Sequence, residues 1–178
     1  MIKRLFGAAL CHVALLIATT TAATAQRRPL PQPETLQAAM LRTHNLARQD
    51  VRAAPVAWNE TLAAEALGWA RQLAREGRMR HSGRVGHGEN LWVGTRGAYT
   101  HAEMAQAWVD ERRYFVNRPM PDASTTGNFG DVGLYTQIIW PETTQLGCAI
   151  ASDRSFDYLV CRYTVPGNVM GQRARPVR

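Results

Sequence analysis

Beyond residue 25 the sequence contains no lysine: Lys3 is the one lysine of the chain, and every later basic residue is an arginine. A nucleic-acid surface would gather such charges with exposed aromatics on one face, whereas these run scattered from Arg27 to Arg178, so no nucleic-acid partner is expected. A genome that favours arginine over lysine accounts for the bias, and attraction to an anionic cell surface stays open beside it. Cysteine is scarce too, at three residues, which is too few for a disulfide-dense scaffold. Long apolar runs are missing after the first 25 residues, which excludes a later membrane-spanning helix. The one early run, "LFGAALCHVALLI", is too short to span. It follows Lys3 and Arg4 and precedes Ala23-Thr24-Ala25, the pattern of an export signal over 1–25. Cys11 follows Leu10 rather than the small residue of a lipoprotein signal, so it is expected to leave with the peptide.

Without the signal, 178 residues become 153, the size of one domain with a real core. Removing Lys3 and Arg4 from 21 basic residues leaves 19 against 14 acidic ones, a formal charge of +5. Cys148 and Cys161 remain, and in an oxidising compartment a lone pair of thiols reads as a disulfide rather than a structural zinc site.

"QRRPLPQP", residues 26–33, is a proline-rich leader, and the domain begins near Glu34 and runs to 168. Leu36, Met40, His44 and Ala47 recur at helical spacing and predict a helix over 34–50, with His44 read as a hydrogen-bonded core residue. Asn59 caps a second helix that ends at Gly77. Thr100 and Glu103 form a capping box for a third, whose apolar face is Met104, Trp108 and Phe115. "LYTQIIW" fits a short helix or a buried strand equally. "LGCAIA" and "FDYLVCRYT", joined by "SDRS", form a β-hairpin that sets Cys148 and Cys161 on adjacent strands. The basic tail, 169–178, is expected to be disordered. Helices around a few strands imply an α+β domain.

Two features carry candidate chemistry. In "HSGRVGHGENLW", His87 and Glu89 form an H-x-E step that an extended backbone points to one side, with His81 a loop's length away. The alternative is that these residues cap turns around Gly83, Gly86 and Gly88. Glu111 falls on the apolar stripe of the third helix, where a carboxylate costs several kcal/mol unless partnered, an order-of-magnitude figure. A local pair with Arg112 or Arg113 would satisfy it, but those neighbours point around the helix.

Together "THN", "HSG", "GENLW", "AWVDE", "GLYTQIIWPETTQLGCA" and "YLVCRYTVPGN" stand in a fixed order, and the chain resembles the CAP superfamily, or SCP domain, as a single-domain member of bacterial type. That family includes plant pathogenesis-related proteins, insect venom antigens and mammalian cysteine-rich secretory proteins. The resemblance covers about residues 36–168. It implies a three-layer α-β-α sandwich with a shallow cleft that carries two histidines and two glutamates. His81, Glu89 and Glu111 match three of those positions, with Glu111 pointing into the cleft beside Glu89 and His81. The fourth departs: where relatives usually read G-H-Y-T-Q, this chain has Leu134 in place of the second histidine. Leucine offers a metal no lone pair, so the zinc site of relatives is damaged and any zinc binding is expected to be weak. Among the other histidines, His87 alone stands near enough to take the missing place beside His81.

Two functions follow, beside a third reading of a stable scaffold for export or defence that takes no ligand. The leading reading is a secreted, non-enzymatic module, expected to be a monomer, that binds a lipid or other hydrophobic ligand, as the resemblance implies, or a cell-surface component, in or beside the cleft. The alternative is a metal-dependent hydrolase of peptide or cell-wall bonds, with Glu89 or Glu111 as general base. The missing histidine counts against it.

Overall fold

The computed structural model describes residues 34–175, so the expected signal, the proline-rich leader and the last three residues lie outside the described residues. Helix α1 spans Leu36–Asp50, with Thr35 as its N-cap. His44 is buried on its inner face, where its ring nitrogens meet the Met40 carbonyl at 2.7 Å and the Tyr163 hydroxyl at 2.8 Å. It is the core histidine that the apolar stripe predicts. Strand β1 is the short Ala57–Trp58. Helix α2, Glu60–Glu76, runs from the Asn59 cap to Gly77, whose φ of 60° closes it as expected.

Strand β2, His87–Thr95, carries the H-x-E step. Helix α3, His101–Val109, has the Thr100–Glu103 capping box but is shorter than its apolar pattern suggests. The chain tightens into a 3₁₀ turn over Asp110–Tyr114, so Glu111 and Phe115 leave the helical stripe. Phe115 instead lies edge-on to Tyr135, with ring centroids 5.5 Å apart. The ambiguous "LYTQIIW" resolves as helix α4, Gly133–Ile138. The hairpin forms β3, Gln145–Ser152, and β4, Phe156–Thr164.

The four strands lie in the order β1-β3-β4-β2, with β1 parallel to β3 and the other pairs antiparallel. On one face α2 packs through Ala66, Ala70 and Leu73 against Leu91, Tyr158 and Val160. Gly147 of β3 allows that approach, because a Cβ there would lie 2.2 Å from the Ala63 backbone nitrogen of α2. On the other face Met40, Trp108 and Ile138 cover Leu146, Leu159 and Tyr163. Helix, sheet and helix thus form the expected α-β-α sandwich.

Cys148 and Cys161 face each other across β3 and β4 and are joined in a disulfide. The tail is not loose as far as it is described. Met170 bridges Met120, Gly171 donates to the Met120 carbonyl at 3.0 Å, and Ala174 is buried in the core. Ordering a terminus requires partners for its backbone, and the loop before α4 supplies them.

Candidate functional site

Strand alternation decides what β2 presents to each layer. Leu91 packs under α2, so Glu89 and His87 share its side of the sheet, while Gly88 and Asn90 face α4. A Cβ on Gly88 would collide with the Gln137 side chain of α4, at 2.2 Å from its Oε1. The H-x-E residues therefore do point to one side, as the extended reading predicts.

His81 and Glu89 are in direct contact. The Nδ1 of His81 meets Glu89 Oε1 at 2.9 Å, and the same oxygen accepts the Ser82 backbone N–H at 2.9 Å. The side chain of His81 is 66% exposed while that of Glu89 is 8% exposed, so a surface imidazole rests on a buried carboxylate. Beneath it, Arg162 on β4 stands directly across from Glu89 and reaches its Oε2 at 3.2 Å. Burial pushes the Glu89 carboxyl up, but the His81 bond, the Ser82 N–H and the Arg162 charge outweigh it and hold the group below the usual carboxylate range. The bond to Glu89 in turn raises His81, against the opposing effect of its partial burial.

Glu111 belongs to a different partnership. Its Oε2 accepts the backbone N–H groups of Leu134 at 2.9 Å and of Tyr135 at 3.0 Å, at the start of α4. Burial raises its pKa, the two N–H groups offset part of the rise, and the charge of Asp131 adds to it. Its neighbours Arg112 and Arg113 turn elsewhere, to Asp50 and to the Asp110 carbonyl. Among the described residues no hydrogen bond or ion pair joins Glu111 to Glu89 or His81. The two pairs are linked indirectly, because Asn90, next to Glu89, donates from Nδ2 to the Leu134 carbonyl at 3.0 Å.

His87 turns toward α2, with its Nδ1 3.5 Å from Glu65 Oε2, and Glu65 also takes Arg84 at 2.9 Å. Zinc, which the fold family implies, does not fit these donors. Glu111 is occupied by backbone N–H groups, Glu89 by Ser82 and Arg162, and Leu134 has no donor atom. Among the described residues no group of three or more His, Cys, Asp or Glu side chains is placed to hold a metal ion.

Sequence reasoning missed Arg162 and Asn90. The signal for Arg162 was present: a charge inside the apolar run "YLVCRYT" poses the same problem as Glu111 on its helix. Two of its guanidinium nitrogens, Nε and Nη1, are buried without a hydrogen-bond partner. Asn90 gave no such signal, since a strand asparagine is unremarkable until its partner is known.

Residues 41–163 match the family described as the Cysteine-rich secretory protein family, CAP. The chain is 36% identical over 133 residues to pathogenesis-related protein 1C of Nicotiana tabacum, covering 74% of this chain and 76% of that protein. It is likewise 36% identical over 131 residues to the PR-1 type pathogenesis-related protein of Sambucus nigra, covering 73% and 76%. Among solved structures it resembles NaASP2, crystallised with Zn2+, with a TM-score of 0.67 and 26% identity over 80% of this chain and 86% of that one. It also shares the fold of venom allergen-like protein 4 of Schistosoma mansoni, with a TM-score of 0.62 and 20% identity over 82% and 96%.

Proposed function

Because the chain belongs to the cysteine-rich secretory protein (CAP) family, we propose that it is an exported binding module, not a hydrolase, and that it takes a hydrophobic or amphipathic ligand in or beside the cleft. The observation that carries this reading is the state of the Leu134 position. Where relatives usually carry an imidazole, this chain has a partly exposed apolar side chain whose backbone N–H already engages Glu111. Phe129, against Gly133, extends the apolar surface beside it. A hydrolase needs an activated water or nucleophile, and among the described residues no metal-binding set supports one. What remains is a partly exposed apolar surface at Leu134 and Phe129, which suits a ligand with a greasy body.

The test is titration of the purified exported protein with a solvatochromic fatty-acid probe, alongside peptide and peptidoglycan hydrolysis assays with and without added zinc. The probe is expected to bind, Leu134→Asp to weaken it about tenfold through the lost apolar contact, and hydrolysis to be absent. Zinc-dependent hydrolysis that disappears in Glu89→Gln would overturn the reading in favour of the metallohydrolase.

A further inference from the structure

The arginines look scattered along the sequence, but the fold collects several of them on α2 and on the loop that runs back along it, where Arg80 reaches Trp69 and Arg84 reaches Glu65. Arg71 and Arg75 stand one turn apart on its exposed face, and Arg78 follows the Gly77 cap. Arg80 and Arg84 lie in the loop that leads to β2. Over residues 71–84 the one acidic side chain is Glu76, so the local balance is strongly positive. Arg80 is paired with Glu76 and Arg84 with Glu65. Among the described residues Arg71, Arg75 and Arg78 form no ion pair.

Within the same loop two apolar side chains face solvent. Val85, after Arg84, is 94% exposed, and Met79, between Arg78 and Arg80, is 42% exposed. A single exposed valine is ordinary on a protein surface, but a fully exposed one at the tip of a basic loop is a different combination. The loop is not a loose excursion either. Trp69 donates from Nε1 to the Arg80 carbonyl at 3.2 Å, the Arg80 guanidinium stacks over the Trp69 ring, and Ser82 is tied to Glu89. Its backbone is anchored at these points while its apolar tips are presented outward.

We propose that this face, from the C-terminal half of α2 through Val85, docks on an anionic lipid bilayer. The arginines supply attraction to phosphate-bearing headgroups, and Met79 and Val85 enter the interface between headgroups and acyl chains. Charge alone would suit any polyanion; the exposed apolar tips are what select a bilayer. The surface is separate from the Leu134 position on α4 and does not depend on what binds there.

The experiment is co-sedimentation of the exported protein with vesicles of phosphatidylcholine alone and of phosphatidylcholine mixed with phosphatidylglycerol. Binding is expected to the mixed vesicles alone, and to weaken as salt is added. Arg71→Gln/Arg75→Gln/Arg78→Gln is expected to lower partitioning about a hundredfold, at about fivefold per charge removed. Met79→Ser/Val85→Ser is expected to lower it about tenfold. All five positions are exposed, so both variants are expected to fold, and unchanged melting confirms this. No preference for anionic vesicles, or an arginine variant that binds like wild type, overturns the proposal. Loss in the arginine variant with full binding by Met79→Ser/Val85→Ser overturns it as well, because the surface would then bind polyanions without entering a bilayer.

Discussion

Glu111 Oε2 accepts the backbone N–H of Leu134 at 2.9 Å, so the acidic residue off α3 and the apolar residue at the start of α4 are bound to each other. The carboxylate that looks out of place on an apolar stripe is satisfied by the first N–H groups of α4, which a helix start leaves without intrahelical partners. At the other end of α4, the buried Arg48 donates to the Ile138 and Trp140 carbonyls, both at 2.8 Å. An acid at the start and a base at the end oppose the partial charges of this short helix and hold Leu134 in place.

Replacing Glu111 separates its structural part from its charge. Glu111→Ala leaves the Leu134 and Tyr135 N–H groups without their acceptor and is expected to cost about 1–3 kcal/mol. Glu111→Gln keeps an acceptor oxygen and is expected to be close to neutral. The pH dependence has a definite sign. Burial raises the folded pKa of Glu111 above 4.5, so its favourable contribution is complete below that value and is lost as pH rises through the folded pKa. Glu111→Gln should therefore gain on wild type as pH rises. Urea melts of the three proteins across acidic and neutral pH measure both effects, and a Glu111→Gln protein that loses ground with rising pH contradicts the assignment.

The His81–Glu89–Arg162 chain makes a second pH prediction. His81 is raised above 6.5, so its contribution is full below that value and is lost as pH rises through its folded pKa. Glu89 is lowered below 4.5, so its contribution is present above that value and is lost as pH falls through its folded pKa. Both act together between 4.5 and 6.5. The stability gap between wild type and His81→Ala is expected to be widest there and below about 1 kcal/mol, because the imidazole is mostly exposed. Thermal melts across this range check it.

Arg162→Met strands a buried Glu89 and is expected to cost about 3 kcal/mol or more, of which Arg162→Met/Glu89→Gln recovers a part. Equal losses in the single and double variants would show that Arg162 matters for packing and not for the charge of Glu89. Chemical denaturation of the two variants against wild type gives the coupling directly.

Zinc titration by calorimetry distinguishes the donors. Wild type and His87→Ala are expected to bind equally weakly, because His87 faces Glu65 and not His81. Leu134→His, which adds an imidazole at the start of α4, is expected to bind more tightly than either. Tight binding by wild type that vanishes in His87→Ala would return His87 to the metal site.

Reduction of the Cys148–Cys161 bridge, which spans 13 residues, is expected to lower stability by about 3 kcal/mol in the chain-entropy account. Urea melts with and without reductant read this loss, and mass spectrometry of a non-reduced digest shows the linked peptides.

Local pattern alone was enough for α1, α2, the capping box of α3 and the β3–β4 hairpin, because each depends on side-chain periodicity or on a cap within a few residues of it. The burial of His44 was legible for the same reason, since its position on the stripe of α1 already put it inside. The two-residue β1 left no periodic mark, and it exists only because β3 runs beside it. The end of α3 was invisible for a related reason: Glu111 leaves the helical register to reach α4, a partner more than twenty residues away in sequence. The site divided along the same line. Sequence named His81, Glu89, Glu111 and Leu134, but pairing His81 with Glu89, Glu89 with Arg162, and Glu111 with Leu134 required the strand register and the placement of α4. Those are long-range choices settled by which faces of β2 and β4 lie beneath α2 and α4, and no local pattern encodes them.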